Sequence, residues 1–104
     1  MMWVLKAAPA AGSNNGEGLL FRLTDGSIKT LGRATRADFI VDAPLVSRVH
    51  CRLTADKSGQ LVVEDLDSTN GTRLNGTRVK RGVARAGDTL GVGQVDFTVE
   101  RHER

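Results

Sequence analysis

The sequence predicts an all-β domain, a sandwich or small barrel of many short strands joined by tight turns. Three observations carry that prediction. Apolar and polar residues alternate over short stretches, most clearly in Val95-Asp96-Phe97-Thr98-Val99-Glu100. Turn-forming pairs recur at Asn15-Gly16, Asp25-Gly26, Ser58-Gly59, Asn70-Gly71, Asn75-Gly76 and Gly87-Asp88. No window long enough for a helix shows an apolar stripe at helical spacing.

Taken in chain order, the apolar run around Trp3-Val4-Leu5 opens the domain as a first strand, and residues 7–18 read as a flexible loop. Leu19-Leu20-Phe21-Arg22-Leu23-Thr24 is a second strand. Asp25-Gly26 then signals a hairpin, with the chain resuming through Ile28 and Leu31. Val49, Cys51 and Leu53 alternate with His50, Arg52 and Thr54, which places Cys51 inward beside Leu53. Leu61-Val62-Val63 is an apolar run feeding a polar loop. Asn75-Gly76 predicts a two-residue hairpin in which Leu74 faces Thr77 and Arg73 faces Arg78.

The chain has 104 residues, enough for one domain with a core and too few for two. Its hydrophobic fraction of 39% excludes wholesale disorder. Net charge is +3, and eleven of the fifteen basic residues are arginine, whose planar fork suits carboxylate and phosphate. Charge alone reads equally as a solvated basic surface. The single cysteine excludes a disulfide framework and a cysteine-built zinc site, and two distant histidines give no metal constellation. No segment has the length of a membrane span, and the N-terminal apolar run is too short for a secretory signal. A reducing, cytoplasmic setting is the expectation, with no cofactor and no metal.

Function is written in three segments. Gly32-Arg33 ends a strand, where a guanidinium could hold phosphate bidentately; an isolated pair of this kind is usually a surface arginine. Ser47-Arg48-Val49-His50 supplies a hydroxyl, a cation and an imidazole. Ser68-Thr69-Asn70-Gly71-Thr72 is dense in hydroxyl and amide groups but contains no general base. Such a set holds an anion or a peptide backbone rather than breaking a bond. His50 and Ser47 do not make a nucleophile and base, because no nucleophile elbow or orienting carboxylate accompanies them. Gly91-Val92-Gly93 is not a nucleotide loop, since the full glycine pattern and the following helix are absent.

In this order, Gly-Arg, Ser-x-x-His and Ser-Thr-Asn-Gly-Thr, the segments resemble the forkhead-associated (FHA) domain, a reader of phosphothreonine peptides. The resemblance runs from about Leu31 to Gly76 and treats residues 1–104 as one domain. It implies a β-sandwich of two twisted, mainly antiparallel sheets with ligand-binding loops at one end. It implies Arg33, Ser47, Arg48 and Thr69 as phosphate contacts and Asn70 as the grip on the peptide main chain. Gly32, His50 and Gly71 would support the loops. Leu45, before Ser47, lies where the family selects peptide side chains, though it could equally be core. Arg73 departs from the aromatic that many members carry. Facing Arg78 at a cost of a few tenths to about 1 kcal/mol, it suggests a secondary anion patch, against the plainer reading of two arginines splayed into water.

The implied partner is a protein phosphorylated on threonine by a Ser/Thr kinase. Two other classes compete: a phospho-independent scaffold that dimerises through a sheet face, and a basic nucleic-acid binder. One Trp and three Phe supply little base-stacking surface, which weighs against the second.

Overall fold

The computed structural model describes residues 1–8 and 18–103. Most of the expected loop at residues 7–18, with its Asn15-Gly16 turn, lies outside the described residues. Eleven strands follow in order: β1 (Met2–Ala7), β2 (Leu19–Thr24), β3 (Ser27–Gly32), β4 (Phe39–Ile40), β5 (Cys51–Ala55), β6 (Leu61–Asp65), β7 (Thr72–Leu74), β8 (Thr77–Val79), β9 (Arg81–Ala84), β10 (Thr89–Val92) and β11 (Val95–His102). They form two sheets, ordered β2-β1-β11-β10-β7-β8 and β4-β3-β5-β6-β9. The sandwich expected from the short alternating strands is therefore present, and among the described residues only the β3–β4 pair is parallel.

Alternation builds the core between the sheets. Trp3, Leu5, Leu90, Phe97 and Val99 project inward from the larger sheet, and Leu31, Cys51, Leu53, Leu61 and Val63 meet them from the smaller one. Phe21 stacks on Phe39 at 4.5 Å between ring centroids and leans on Phe97 at 5.8 Å, tying the two layers together. Burial pushes the Cys51 thiol up to about 12, with the Asp65 charge adding to the shift, so it stays protonated and inert.

One expected turn behaves differently. Asp25-Gly26 does not close a hairpin: β2 pairs with β1, whereas β3 pairs with β4 and β5. The turn carries the chain from one sheet to the other. Gly26, at φ 94°, donates its N–H to Ala55 O, and Asp25 N–H reaches Met1 O. The Asp25 carboxylate also receives two bonds from Arg101, at 2.7 and 2.8 Å. Long-range partners thus hold the crossover, which lets Leu23 and Leu31 enter the core from opposite layers. Asn75-Gly76 is a true hairpin turn. Both residues have positive φ, 52° and 83°, and the register places Arg73 opposite Arg78 and Leu74 opposite Thr77.

Candidate functional site

The three motif segments converge at one end of the sandwich, where β3 ends and β5 and β7 begin. Gly32 makes the convergence possible. A methyl group there would lie within 3 Å of three backbone atoms of Arg48 and Val49, so only a bare Cα admits the Ser47–Val49 segment. Two backbone bonds then stitch the segments, Arg33 N–H to Ser47 O at 2.9 Å and Ala34 N–H to Arg48 O at 3.0 Å. The Arg33 side chain uses its Nε–H on Val46 O at 3.0 Å, and the terminal guanidinium nitrogens of this exposed side chain have no hydrogen-bond partner among the described residues.

His50 is fully buried and holds the second junction. Its Nδ1 accepts the Ser47 N–H at 3.0 Å, so that nitrogen carries no proton. Its Nε2 lies 2.8 Å from Gly71 O, an acceptor only, and must therefore donate. The ring is thus the neutral Nε2–H tautomer, a bridge between the Ser47 loop and the Thr69–Gly71 loop. Both nitrogens are used by backbone, so His50 has no base to offer a substrate.

Ser47 completes the link through its hydroxyl. The oxygen accepts the Thr69 N–H at 3.0 Å, which leaves the hydroxyl proton available to an outside acceptor. Thr69 thus has its amide engaged within the site while the residue lines the cavity rim. Asn70 donates Nδ2–H to Leu45 O at 3.0 Å. Leu45 is the exposed corner of a Pro44-Leu45 turn closed by Val46 N–H to Ala43 O at 3.4 Å. Its φ of 71° is normally left to glycine and stores about 1–3 kcal/mol of strain. Leu45 is 48% exposed, which excludes the core reading.

Arg33, Ser47, Thr69 and Asn70, with the Asp42–Val46 segment, enclose an open cavity of about 480 Å³. Arg48 stands outside its wall as an exposed cation, close enough in sequence to Ser47 to add positive field. The Arg73–Arg78 pair is divided. Arg73 reaches across β10 to Gly93 O at 2.8 Å and Asp96 at 3.6 Å, because Gly91 opposite it has no side chain in the way. Arg73 is thereby engaged with a carbonyl and an exposed carboxylate, whereas no described carboxylate pairs with Arg78. Gly93 itself packs on the Leu45 carbonyl, which is a supporting role for the Gly91-Val92-Gly93 turn.

Two residues at this end, Asp65 and Ser68, were given no individual role from the sequence. Asp65 accepts the Ser68 hydroxyl at 2.5 Å, the Thr72 hydroxyl at 2.7 Å and the Ser68 N–H at 3.1 Å. Ser68 Oγ in turn accepts the Gly71 N–H at 2.9 Å. This staple fixes the loop that His50 grips from the other side. The Asp65-x-x-Ser68 spacing at a strand end was the available signal.

Burial alone would raise the Asp65 carboxyl, but hydrogen bonds from Ser68 and Thr72 outweigh it and hold the group below 3.8. A carboxyl lowered on folding stabilises above its unfolded value, and that contribution is lost as pH falls through the folded one. We therefore expect exchange protection of the Gly71 amide to fall as pH drops below 3.8. Asp65→Asn should lack that acid-dependent step, and an unchanged step in the variant would assign it elsewhere.

Comparison with known proteins places this geometry. The FHA domain family model matches residues 29–93, more than half of the chain. FhaA of Mycobacterium tuberculosis is 33% identical over 90 residues, and the ABC transporter ATP-binding/permease protein Rv1747 of the same organism is 34% identical over 75. The matched stretches cover 86% and 72% of this chain but only 16% and 8% of those longer proteins. Among solved structures, one from a study of phosphothreonine-dependent FHA domain interactions aligns over all of both chains with a TM-score of 0.83 and 27% identity. The FhaA FHA domain complexed with the intracellular domain of Rv3910 aligns over 96% of this chain and 100% of that one, with a TM-score of 0.78 and 26% identity.

Proposed function

The chain belongs to the FHA domain family, and from that premise we propose that its cavity seats the phosphate of a phosphothreonine peptide, making it a non-catalytic module for phosphorylation-dependent protein–protein interaction. One observation carries the reading. Arg33, Ser47 and Thr69 bring a guanidinium and two hydroxyls to one open wall, held by backbone bonds before any ligand arrives. A phosphate monoester near neutral pH carries about −1.5 to −2 charge and three acceptor oxygens. The guanidinium fork meets two of them, and the Ser47 hydroxyl proton and the Thr69 hydroxyl meet the rest. Exposed Arg48 adds charge.

Asn70 has a separate task. Its amide holds Leu45 O in the free domain, and an exchange of that bond for the peptide main chain positions the ligand across the rim. Leu45, strained and exposed beside it, faces a neighbouring peptide side chain and favours an apolar one. The ligand is the product of a Ser/Thr kinase. The likeness to an FHA domain captured with the intracellular domain of Rv3910 supports a protein ligand in a cytoplasmic setting.

Charge-assisted hydrogen bonds contribute on the order of 1.5–3 kcal/mol each before ordering costs. A few of them with main-chain contacts give micromolar affinity, about −8 kcal/mol. Calorimetric titration with a degenerate phosphothreonine library, and with phosphoserine and unphosphorylated controls, tests the reading. Binding should require phosphate and favour threonine by roughly tenfold to two-hundredfold, the worth of one methyl contact. Equal binding of the unphosphorylated library would instead support a phospho-independent scaffold. Salt-sensitive binding of nucleic acid with no response to phosphopeptide would support the third class.

A further inference from the structure

Resting on the phosphopeptide reading, we propose that Arg78 forms a second anion site beside the phosphate cavity, one that selects an acidic group flanking the phosphothreonine. The argument begins with the facing arginines on β7 and β8. Like charges in register repel, so the two guanidinium groups are better held on separate supports than side by side. Each leaves over a glycine. Arg73 crosses Gly91, where an added Cβ would meet its guanidinium nitrogen at 2.5 Å, and ends on Gly93 O and Asp96. Arg78, on the edge strand β8, leans in the same direction one strand behind and lies across Gly71, whose added Cβ would sit 2.5 Å from its Nε and 2.9 Å from its Cζ.

The two ends differ in what they find. Arg73 donates to the Gly93 carbonyl and pairs with the Asp96 carboxylate. Arg78 is exposed, and no described carboxylate forms an ion pair with it. Gly71, on which it rests, is bonded to His50 and Ser68 and follows Asn70 directly. The guanidinium thus lies beside the residue that follows Asn70, whose side chain lines the cavity. Gly71 thereby serves twice. Its φ of 86° suits the turn, and its missing side chain admits Arg78 to the binding edge.

The matching ligand group is anionic oxygen, a carboxylate or a second phosphoryl, on a residue near the phosphothreonine. A guanidinium accommodates either bidentately. The test is a set of phosphothreonine peptides in which each flanking position in turn carries Ala, Glu, Lys or phosphoserine. These are titrated against wild type, Arg78→Ala and Arg78→Glu at two salt concentrations. Wild type should bind the Glu or phosphoserine peptide about threefold to tenfold more tightly than the Ala peptide at one position. In Arg78→Ala that ratio should fall to one, and in Arg78→Glu the Lys peptide should take over the preference. A larger gain for phosphoserine than for Glu would identify a doubly phosphorylated segment as the better ligand. Tight binding of the phosphothreonine peptides with no acid preference, or with one that survives Arg78→Ala, overturns this proposal alone. Failure of wild type to bind any of the peptides overturns the phosphopeptide reading and this proposal with it.

Discussion

Arg33→Ala is expected to weaken phosphothreonine-peptide binding by on the order of 10- to 150-fold, the worth of one charge-assisted hydrogen bond, and by more if both fork contacts are lost. The fold should survive. Arg33 contributes one side-chain bond to the structure, to Val46 O, while its backbone N–H still holds Ser47 O. A bond of that kind is worth about 1 kcal/mol, so the unfolding midpoint should drop by only a few degrees. Arg33→Lys is the informative companion. It keeps the charge but loses the planar fork and the Nε–H bond to Val46, so affinity should be only partly restored. Full restoration by lysine would mean that the cavity senses charge without geometry.

His50→Ala should produce the opposite pattern, a large loss of stability that takes binding with it. The ring is buried and joins two loops that have no covalent reason to meet. Its removal leaves the Ser47 N–H and the Gly71 carbonyl without their partner and opens a void beside them. Each abandoned group costs about 1–3 kcal/mol, for a combined loss of roughly 2–6 kcal/mol. For a domain of this size that corresponds to a fall in Tm of roughly 10–20 °C or more. Peptide affinity measured well below the new midpoint should also be reduced, since Ser47 and Thr69 lose their fixed spacing. A variant with native Tm and undiminished affinity would show that the bridge does not organise the site.

These two residues were legible in the sequence because ordered motif segments carried them, and the folded chain brings those segments together. The strands were legible from local alternation, which reports the face a side chain occupies. Alternation does not report which strand is the neighbour. Asp25-Gly26 and Asn75-Gly76 look alike as dipeptides, yet only the second closes a hairpin. The difference lies with Met1, Ala55 and Arg101, all distant in sequence from the first turn. The same limit applies to Arg73 and Arg78. Their register followed from the turn, but what each side chain meets depended on Gly91, Gly93 and Asp96, in a neighbouring hairpin that local reasoning could not place. Asp65 was hidden for another reason. A carboxylate at a strand end reads as a solvated charge until its three donors from Ser68 and Thr72 are seen to converge. Leu45 was ambiguous because leucine signals a core, whereas a positive φ and the Asn70 bond hold it outside.

The most direct test follows the backbone amides of the isotopically labelled domain by NMR during titration with a phosphothreonine peptide and its unphosphorylated twin. The account predicts that the phosphopeptide shifts the amides of Arg33, Ser47, Thr69, Asn70 and Gly71, with the Arg33 side-chain Nε–H, and that the twin leaves them in place. Phosphate-dependent shifts that cluster on another face of the sandwich would contradict it, as would equal shifts with either peptide.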